Sequence, residues 1–230
     1  MYYKSHPLST TYFQTTYKTD NVCSDIIQPK THEQLIEIIC TLNFRDQTYH
    51  VVSSGQNLGY GGRIPEENVD YLIDLQHLKN IHVDKQKAIA TIQAGVTQTE
   101  LFNHLVANDL EFFFHVSGAP ADTSILGNAL TGGYANGVNS IRFDRILAFK
   151  GVYHDGTEFN TLTKSNTKYT DQVDVRGLFK NAENGIVTEI QYEIDPIPEH
   201  VQITFFAIDP DEEVEKVLDT LLYLRKNGVV

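Results

Sequence analysis

Apolar residues recur along this chain with two different periods, and the switching between them orders its elements. Positions Leu35, Ile36, Ile38, Ile39 and Leu42 share one face of a 3.6-residue repeat, so they predict a helix. Pro29 stops structure before it, and Thr31 with Gln34 forms a capping box at its start. A strand at Tyr49–Val52 follows, then a glycine-rich loop to Gly62, then a strand at Tyr71–Leu75. Ile81–Val83 and Ala88–Ala94 read as a hairpin across Asp84-Lys85-Gln86-Lys87. Thr97 and Glu100 form a second capping box, opening a helix to about Asn108 with Leu101, Leu105 and Val106 inward.

Further along, Phe112–His115 reads as extended, and Ser117 to Gly137 is a second region rich in small residues. Ile146–Tyr153 and Glu158–Leu162 flank Asp155-Gly156, a hairpin signal. Ser165 to Val175 reads as a polar loop and Gly185–Ile194 as a strand. Met1 to Ile27, rich in Tyr, Thr and Ser, predicts only irregular or short extended pieces. Pro196 to His200 punctuates the pattern and marks a boundary. Beyond it come a strand at Val201–Ile208 and a helix over 210–227. Asp209, Pro210 and Glu212 open that helix, and Val214, Val217, Leu218, Leu221 and Leu222 share one of its faces. One strand and one helix cannot bury a core. The expectation is therefore an α+β domain over 1–200, with 201–230 the beginning of a truncated second domain.

The run Val51-Val52-Ser53-Ser54-Gly55-Gln56-Asn57-Leu58-Gly59-Tyr60-Gly61-Gly62 carries the most chemistry. Bare backbone N–H groups in such a turn form an anion-binding nest, and glycine lets a ligand approach the main chain. No basic residue lies between Val51 and Gly62, so a phosphate there would rest mainly on backbone dipoles. No Lys follows the glycines as a P-loop requires, and the spacing 55, 59, 61 and 62 is not a Rossmann fingerprint.

The formal charge of −12 argues against a nucleic-acid or anionic-membrane partner. No apolar run reaches the length of a membrane span, and the N-terminus lacks a signal-peptide core, so a cytoplasmic protein is expected. Cys23 and Cys40 have neither metal-ligand spacing nor the look of a disulfide framework.

Five collinear segments then carry a resemblance. They are Pro-x-Thr-x-Glu-Gln-Leu (29–35), Ser-x-Gly-Gln-Asn-x-Gly-Tyr-Gly-Gly (53–62) and Gln-Ala-Gly-Val-Thr-x-x-x-Leu (93–101). Ser-Ile-Leu-Gly-Asn-Ala (124–129) with Gly132-Gly133, and Asn184-Gly185-Ile186-Val187-Thr188, complete the set. Over roughly 25–200 the chain resembles the FAD-binding domain of the vanillyl-alcohol oxidase/p-cresol methylhydroxylase (PCMH-type) flavoprotein family. The resemblance implies two α+β subdomains clasping FAD. It places Ser54, Gly55, Gln56, Asn57, Leu58, Gly59, Tyr60, Gly61 and Gly62 around the pyrophosphate. It places Ser117, Gly118, Ser124, Gly127 and Asn128 on the opposite wall, and Gly185, Ile186 and Val187 against the cofactor.

Departures from the family shape the expectation further. Gln56-Asn57 stand where relatives with a histidyl-flavin link carry His, and 117–137 contains no Cys for a second link. FAD is therefore expected to be non-covalent with respect to this domain. Phenol-oxidising members place an acidic residue near the flavin, where this chain has Ala119 with Asp122 three positions on, which argues against phenol oxidation.

Outside those segments, His115 reads as a packed strand residue that alternatively approaches the flavin, and His104 as a surface or rim residue. Arg142, Asp144 and Arg145 read as surface ion pairing, with a contact to substrate or flavin as the alternative; Tyr134 reads as structural or as bordering the ring. The first function hypothesis is the FAD-binding part of an FAD-dependent oxidoreductase acting on a small-molecule, alcohol-like substrate. The second is a flavin-binding module without turnover, needing a missing second domain or a homo-oligomer through helix 210–227. A reductase of the peptidoglycan-precursor type matches the Gly-Tyr-Gly-Gly and Leu-Gly-Asn-Ala segments less well.

Overall fold

A computed structural model describes residues 21, 23–56, 62–135, 141–161, 176–180, 184–203, 205 and 213–228. Two sheets organise them. Strands β1 (Cys23–Ile27), β2 (Tyr49–Val52) and β3 (Val69–Asp74) form a parallel sheet in the order β1-β3-β2. Strands β4 (Ile81–Asp84), β5 (Ile89–Gln93), β7 (Ile146–Val152), β8 (Glu158–Asn160) and β9 (Ile186–Glu193) form an antiparallel sheet in the order β4-β5-β9-β7-β8. A two-stranded piece pairs β6 (Phe112–Phe113) with β10 (Asp195–Pro196). The helices are α1 (His32–Phe44), α2 (Gln98–Ala107), α3 (Ile125–Leu130) and α4 (Val214–Lys226).

Parallel neighbours need a long crossover connection, commonly a helix. Helix α1 serves that purpose between β1 and β2. The adjacent parallel strands β2 and β3 are instead joined by the glycine-rich stretch 53–68. The glycine loop is thus the crossover of the small sheet, and its place in the topology accounts for its length.

Helix α1 also ties the two sheets together. Leu35, Ile38, Ile39 and Leu42 are buried in one core with Ile27 and Ile73 of the small sheet and Ile92, Phe149, Val187 and Ile190 of the large one. His32, buried on the same helix, reaches Thr188 Oγ1 at 2.8 Å and Glu158 Oε2 at 2.6 Å on β9 and β8. The α+β fold expected from the sequence is the one found.

Both helix starts follow the sequence, with one difference. Thr97 and Glu100 form the full capping box of α2, and Lys79 Nζ lies 2.6 Å from the Glu100 carboxylate. At α1 the Thr31 hydroxyl accepts from Gln34 N, but Gln34 Oε1 reaches past the cap to Lys30 N at 2.8 Å. Both hairpins form at the expected turns, although β8 ends at Asn160 and β6 at Phe113, short of the predicted extents.

Two readings are corrected and a third is sharpened. Val106, expected inward, is 60 % exposed, because Leu101 and Leu105 suffice to seat α2. Val201–Ile203 form no strand and lie exposed. Within the lead-in, Cys23–Ile27 is a paired strand, in parallel register with β3. Asp209, Pro210, Glu212 and the polar loop 165–175 lie outside the described residues. Helix α4 buries none of its side chains; Leu218, Leu221 and Leu222 are all exposed.

Candidate functional site

Because β2 ends the small sheet, one of its edges is left unpaired by any described strand, and this edge faces a cleft of about 830 Å³. That size falls within the range of about 300–1,000 Å³ typical of small-molecule sites. Thr48 through Gln56 run along one side of the cleft. The other side is built from α3 and the residue pair before it, from the start of β9 at Gly185–Val187, and from His154 and Phe179.

At one end the two walls touch. The Ser124 N–H donates to Ser54 Oγ at 2.9 Å, and Gln56 Nε2 donates to Asp122 Oδ2 at 3.0 Å. Ser124 caps α3, its hydroxyl accepting from Gly127 N at 3.0 Å and donating to Ala94 O at 2.6 Å. A Cβ at Gly127 would collide with Ser53 Oγ, so glycine permits the close approach of loop and helix. Two segments far apart in sequence thus become one corner of the cleft.

A basic residue serves the loop from just outside it. Arg63 Nη2 donates to Ser54 O at 2.7 Å, and Arg63 Nε lies 4.0 Å from the fully buried Asp74 carboxylate. Asp74 accepts further from Gln28, from Gln76 N at 2.9 Å and from Gln76 Nε2 at 2.7 Å. Gly55, at φ +64°, lies under the Arg63 side chain, where a Cβ would clash. The run Tyr-Leu-Ile-Asp-Leu held a signal for this arrangement, since a carboxylate inside an apolar strand requires buried partners.

At the far end, Tyr49 OH lies 2.9 Å from His154 Nδ1 with the two rings 6.1 Å apart, beside His50 and Glu66. Burial pushes the Tyr49 phenol above its ordinary value. Sequence reasoning did not select this group, because its members come from separate elements without a shared motif.

Of the residues selected from sequence, Ser54, Gly55, Gln56, Gly62, Ser124, Gly127, Asn128, Gly185, Ile186 and Val187 all line this cleft. Asn57, Leu58, Gly59, Tyr60 and Gly61 lie outside the described residues. Ser117 and Gly118 do not line the cleft. Ser117 N donates to Gln98 Oε1 behind the wall, and Gly118 is exposed with open space where a Cβ would stand.

Arg142 is not the surface ion-pairing residue expected, whereas Arg145 does form an ion pair. Arg142 is 1 % exposed and donates to His115 O, Asn128 Oδ1 and Gln98 Oε1. Burial lowers its pKa from the ordinary guanidinium value, and the nearby Tyr192 phenol opposes that shift. Arg145 pairs with Asp195 at 2.9 Å, and His115 Nε2 lies 3.1 Å from the same carboxylate. His115 is thereby engaged at the β6–β10 joint rather than in the cleft. Tyr134 stays half exposed, its hydroxyl accepting from Arg225 of α4 and its ring 5.4 Å from that guanidinium.

The lining suits FAD. Apolar side chains (Val51, Leu126, Ile186, Val187) can flank a flat ring system, while Ser53, Ser54, Gln56 and Asn128 and the β2 backbone supply polar contacts. No helix among the described residues is long and apolar enough to cross a membrane.

Comparison with known proteins agrees with this architecture. The family described as FAD binding domain matches residues 24–161. The chain is 26 % identical over 223 residues to a 1'-carboxy-chondrochloren decarboxylase of Chondromyces crocatus, covering 93 % of this chain and 41 % of that one. It is 22 % identical over 216 residues to the 4-cresol dehydrogenase [hydroxylating] flavoprotein subunit of Pseudomonas putida, covering 90 % and 42 %. The crystal structure of p-cresol methylhydroxylase with substrate bound superposes with a TM-score of 0.82 at 21 % identity, covering 94 % of this chain and 44 % of that one. The chain thus spans about two-fifths of the length of the curated relatives it matches.

Proposed function

Because this chain belongs to the FAD binding domain family, with the PCMH-type fold and FAD as its cofactor, we propose that it is the cofactor-holding part of an FAD-dependent oxidoreductase. The substrate is a small molecule with an alcohol-like carbon. When bound, the flavin supplies the redox chemistry by taking up hydride at N5, and the protein supplies position and electrostatics. The observation that carries this reading is the corner where Ser54 meets Ser124, because it joins the glycine loop to α3 at one end of the cleft.

On this reading we assign the residue roles. The backbone of 54–62 and the Arg63 charge behind it hold the diphosphate. Ser124, Gly127 and Asn128 form the opposite wall, and Gly185, Ile186 and Val187 pack against the ring system. Ser117 supports the wall from outside the cleft. Residues 201–230 open a second, substrate or cap domain, and the exposed apolar face of α4 is the surface such a domain would cover. That same exposed face favours a second reading, a flavin-binding module that turns over only with a partner domain or in a homo-oligomer.

The test is an absorption spectrum of the purified chain, repeated on the supernatant after acid precipitation. Flavin bands that move into the supernatant are expected. Flavin retained in the pellet overturns the non-covalent assignment, and a colourless chain that takes up no added FAD overturns the cofactor role. A flavin-loaded chain that no alcohol bleaches favours the second reading.

A further inference from the structure

Arg142 has the largest fully buried side chain among the described residues, and none of its hydrogen-bond acceptors there is a carboxylate. We propose that Arg142 is a positioning residue that fixes the Asn128 carboxamide with Nδ2 turned to the cleft, making Asn128 a hydrogen-bond donor of set orientation toward FAD. The proposal rests on the reading of the cleft as the FAD site.

The amide orientation follows from donor chemistry. A guanidinium only donates, so the Asn128 atom 3.0 Å from Arg142 Nη1 must be the oxygen. A carboxamide turned the other way would set its NH₂ against a cation. Gly133 closes the same side: a Cβ there would collide with Asn128 Oδ1, and Gly133 N donates to Asn128 O at 2.7 Å. Asn128 Nδ2 donates to no described residue, and Asn128 lines the cleft. Its remaining donors therefore serve whatever occupies that space.

Arg142 is itself held from several directions. His115 O accepts from Nε at 3.2 Å and from Nη2 at 2.9 Å. Gln98 Oε1 accepts from Arg142 and from Ser117 N, while Gln98 Nε2 donates to Ala119 O and Pro120 O. The start of α2, the 115–120 segment and α3 thus converge on one cation. Its charge lies behind the wall, which favours an electron-rich group on the cofactor side, such as a carbonyl, a ring nitrogen or a phosphate oxygen.

Asn128→Asp separates the role of this residue in FAD binding from its role in folding. The carboxylate keeps the side-chain shape and gives Arg142 a charged acceptor, but it removes the donor from the cleft. The apoprotein is expected to melt at or above the parental temperature, while FAD affinity, measured by quenching of flavin fluorescence, falls about tenfold or more. An Asn128→Asp chain that binds FAD as the parent does overturns the proposal, and so does an apoprotein that melts well below it. Arg142→Lys is then placed in the parent and in Asn128→Ala. If Arg142 acts through Asn128, it weakens FAD binding about fivefold or more in the parent and less than about twofold in the alanine background. Equal losses in both backgrounds mean that Arg142 acts on the fold alone. A parent chain that takes up no FAD fails the cofactor reading itself, which is a different result from a loaded parent with an indifferent Asn128→Asp variant.

Discussion

Ser54 and Ser124, seventy positions apart, meet where the Ser124 N–H donates to the Ser54 hydroxyl at 2.9 Å. This bond fixes the distance between the loop after β2 and the N-terminus of α3, and so sets the width of the cleft at that end. Ser54→Ala leaves a partly buried N–H without its acceptor, which costs about 1–3 kcal/mol. We expect a lower melting temperature and weaker FAD binding together, measured by thermal unfolding of the apoprotein and by flavin titration. A variant unchanged in both would show that the junction does not set the cleft.

Gly127 tests the same corner by overcrowding. Gly127→Ala drives a methyl group into Ser53 Oγ, so the Ser53 hydroxyl must turn aside, and the change should cost about 1 kcal/mol. Removing the obstructing oxygen with Ser53→Ala should restore most of that loss, giving a coupling of similar size in a double-mutant cycle. Additive losses would place the clash elsewhere.

The capping box of α2 carries a pH signature. Burial tends to raise the Glu100 pKa, but the Lys79 ammonium and the Thr97 N–H and hydroxyl outweigh it, and the net shift is downward. A depressed folded-state pKa means stability that is present above the unfolded value and lost as pH falls through the folded one. Glu100→Gln should therefore be less stable than the parent near neutrality, and the gap should close below the ordinary glutamate value of 4.5. Urea unfolding of both chains between neutrality and strong acid measures it; a gap that persists in acid would show that the carboxylate charge is not the source.

In the core, Ile39 is fully buried on α1 between the sheets. Ile39→Ala should cost about 2–5 kcal/mol in chemical denaturation. The exposed Leu221 of α4 should behave oppositely, Leu221→Asp changing stability by no more than about 0.5 kcal/mol. If that face joins two copies of the chain, the aspartate variant should also shift sedimentation from dimer to monomer.

Most of the elements, and one side of the site, were legible because their signals are local. The alternation of apolar positions marks β2, β5 and β9, and Thr97 with Glu100 marks the start of α2. Segment α3 was not legible: Gly127 and Asn128 are poor helix formers, and the helix persists because Ser124 caps it and Ile125, Leu126 and Ala129 are buried. β1 was legible only as one of the short extended pieces of the lead-in, since its pairing with β3 joins residues more than forty positions apart. The burial of Arg142 left no trace in sequence because its acceptors are one backbone oxygen and two side-chain amide oxygens, none of which forms a motif with it. Arg63 and Asp74 were overlooked although the apolar run around Asp74 signals a buried carboxylate, because nothing local to either residue names the other as its partner.

The side of β2 that no described strand pairs bears on the protein's life in solution. A strand with unpaired main-chain groups is a template on which another polypeptide can align, and native proteins guard such edges with a cover. On the FAD reading of the cleft, bound cofactor would cover the margin that no described strand pairs. On that reading the empty apoprotein would leave this margin accessible and the loaded form would conceal it. Flavin supply during synthesis would then govern how much of this chain survives unaggregated, as well as how much of it is chemically competent.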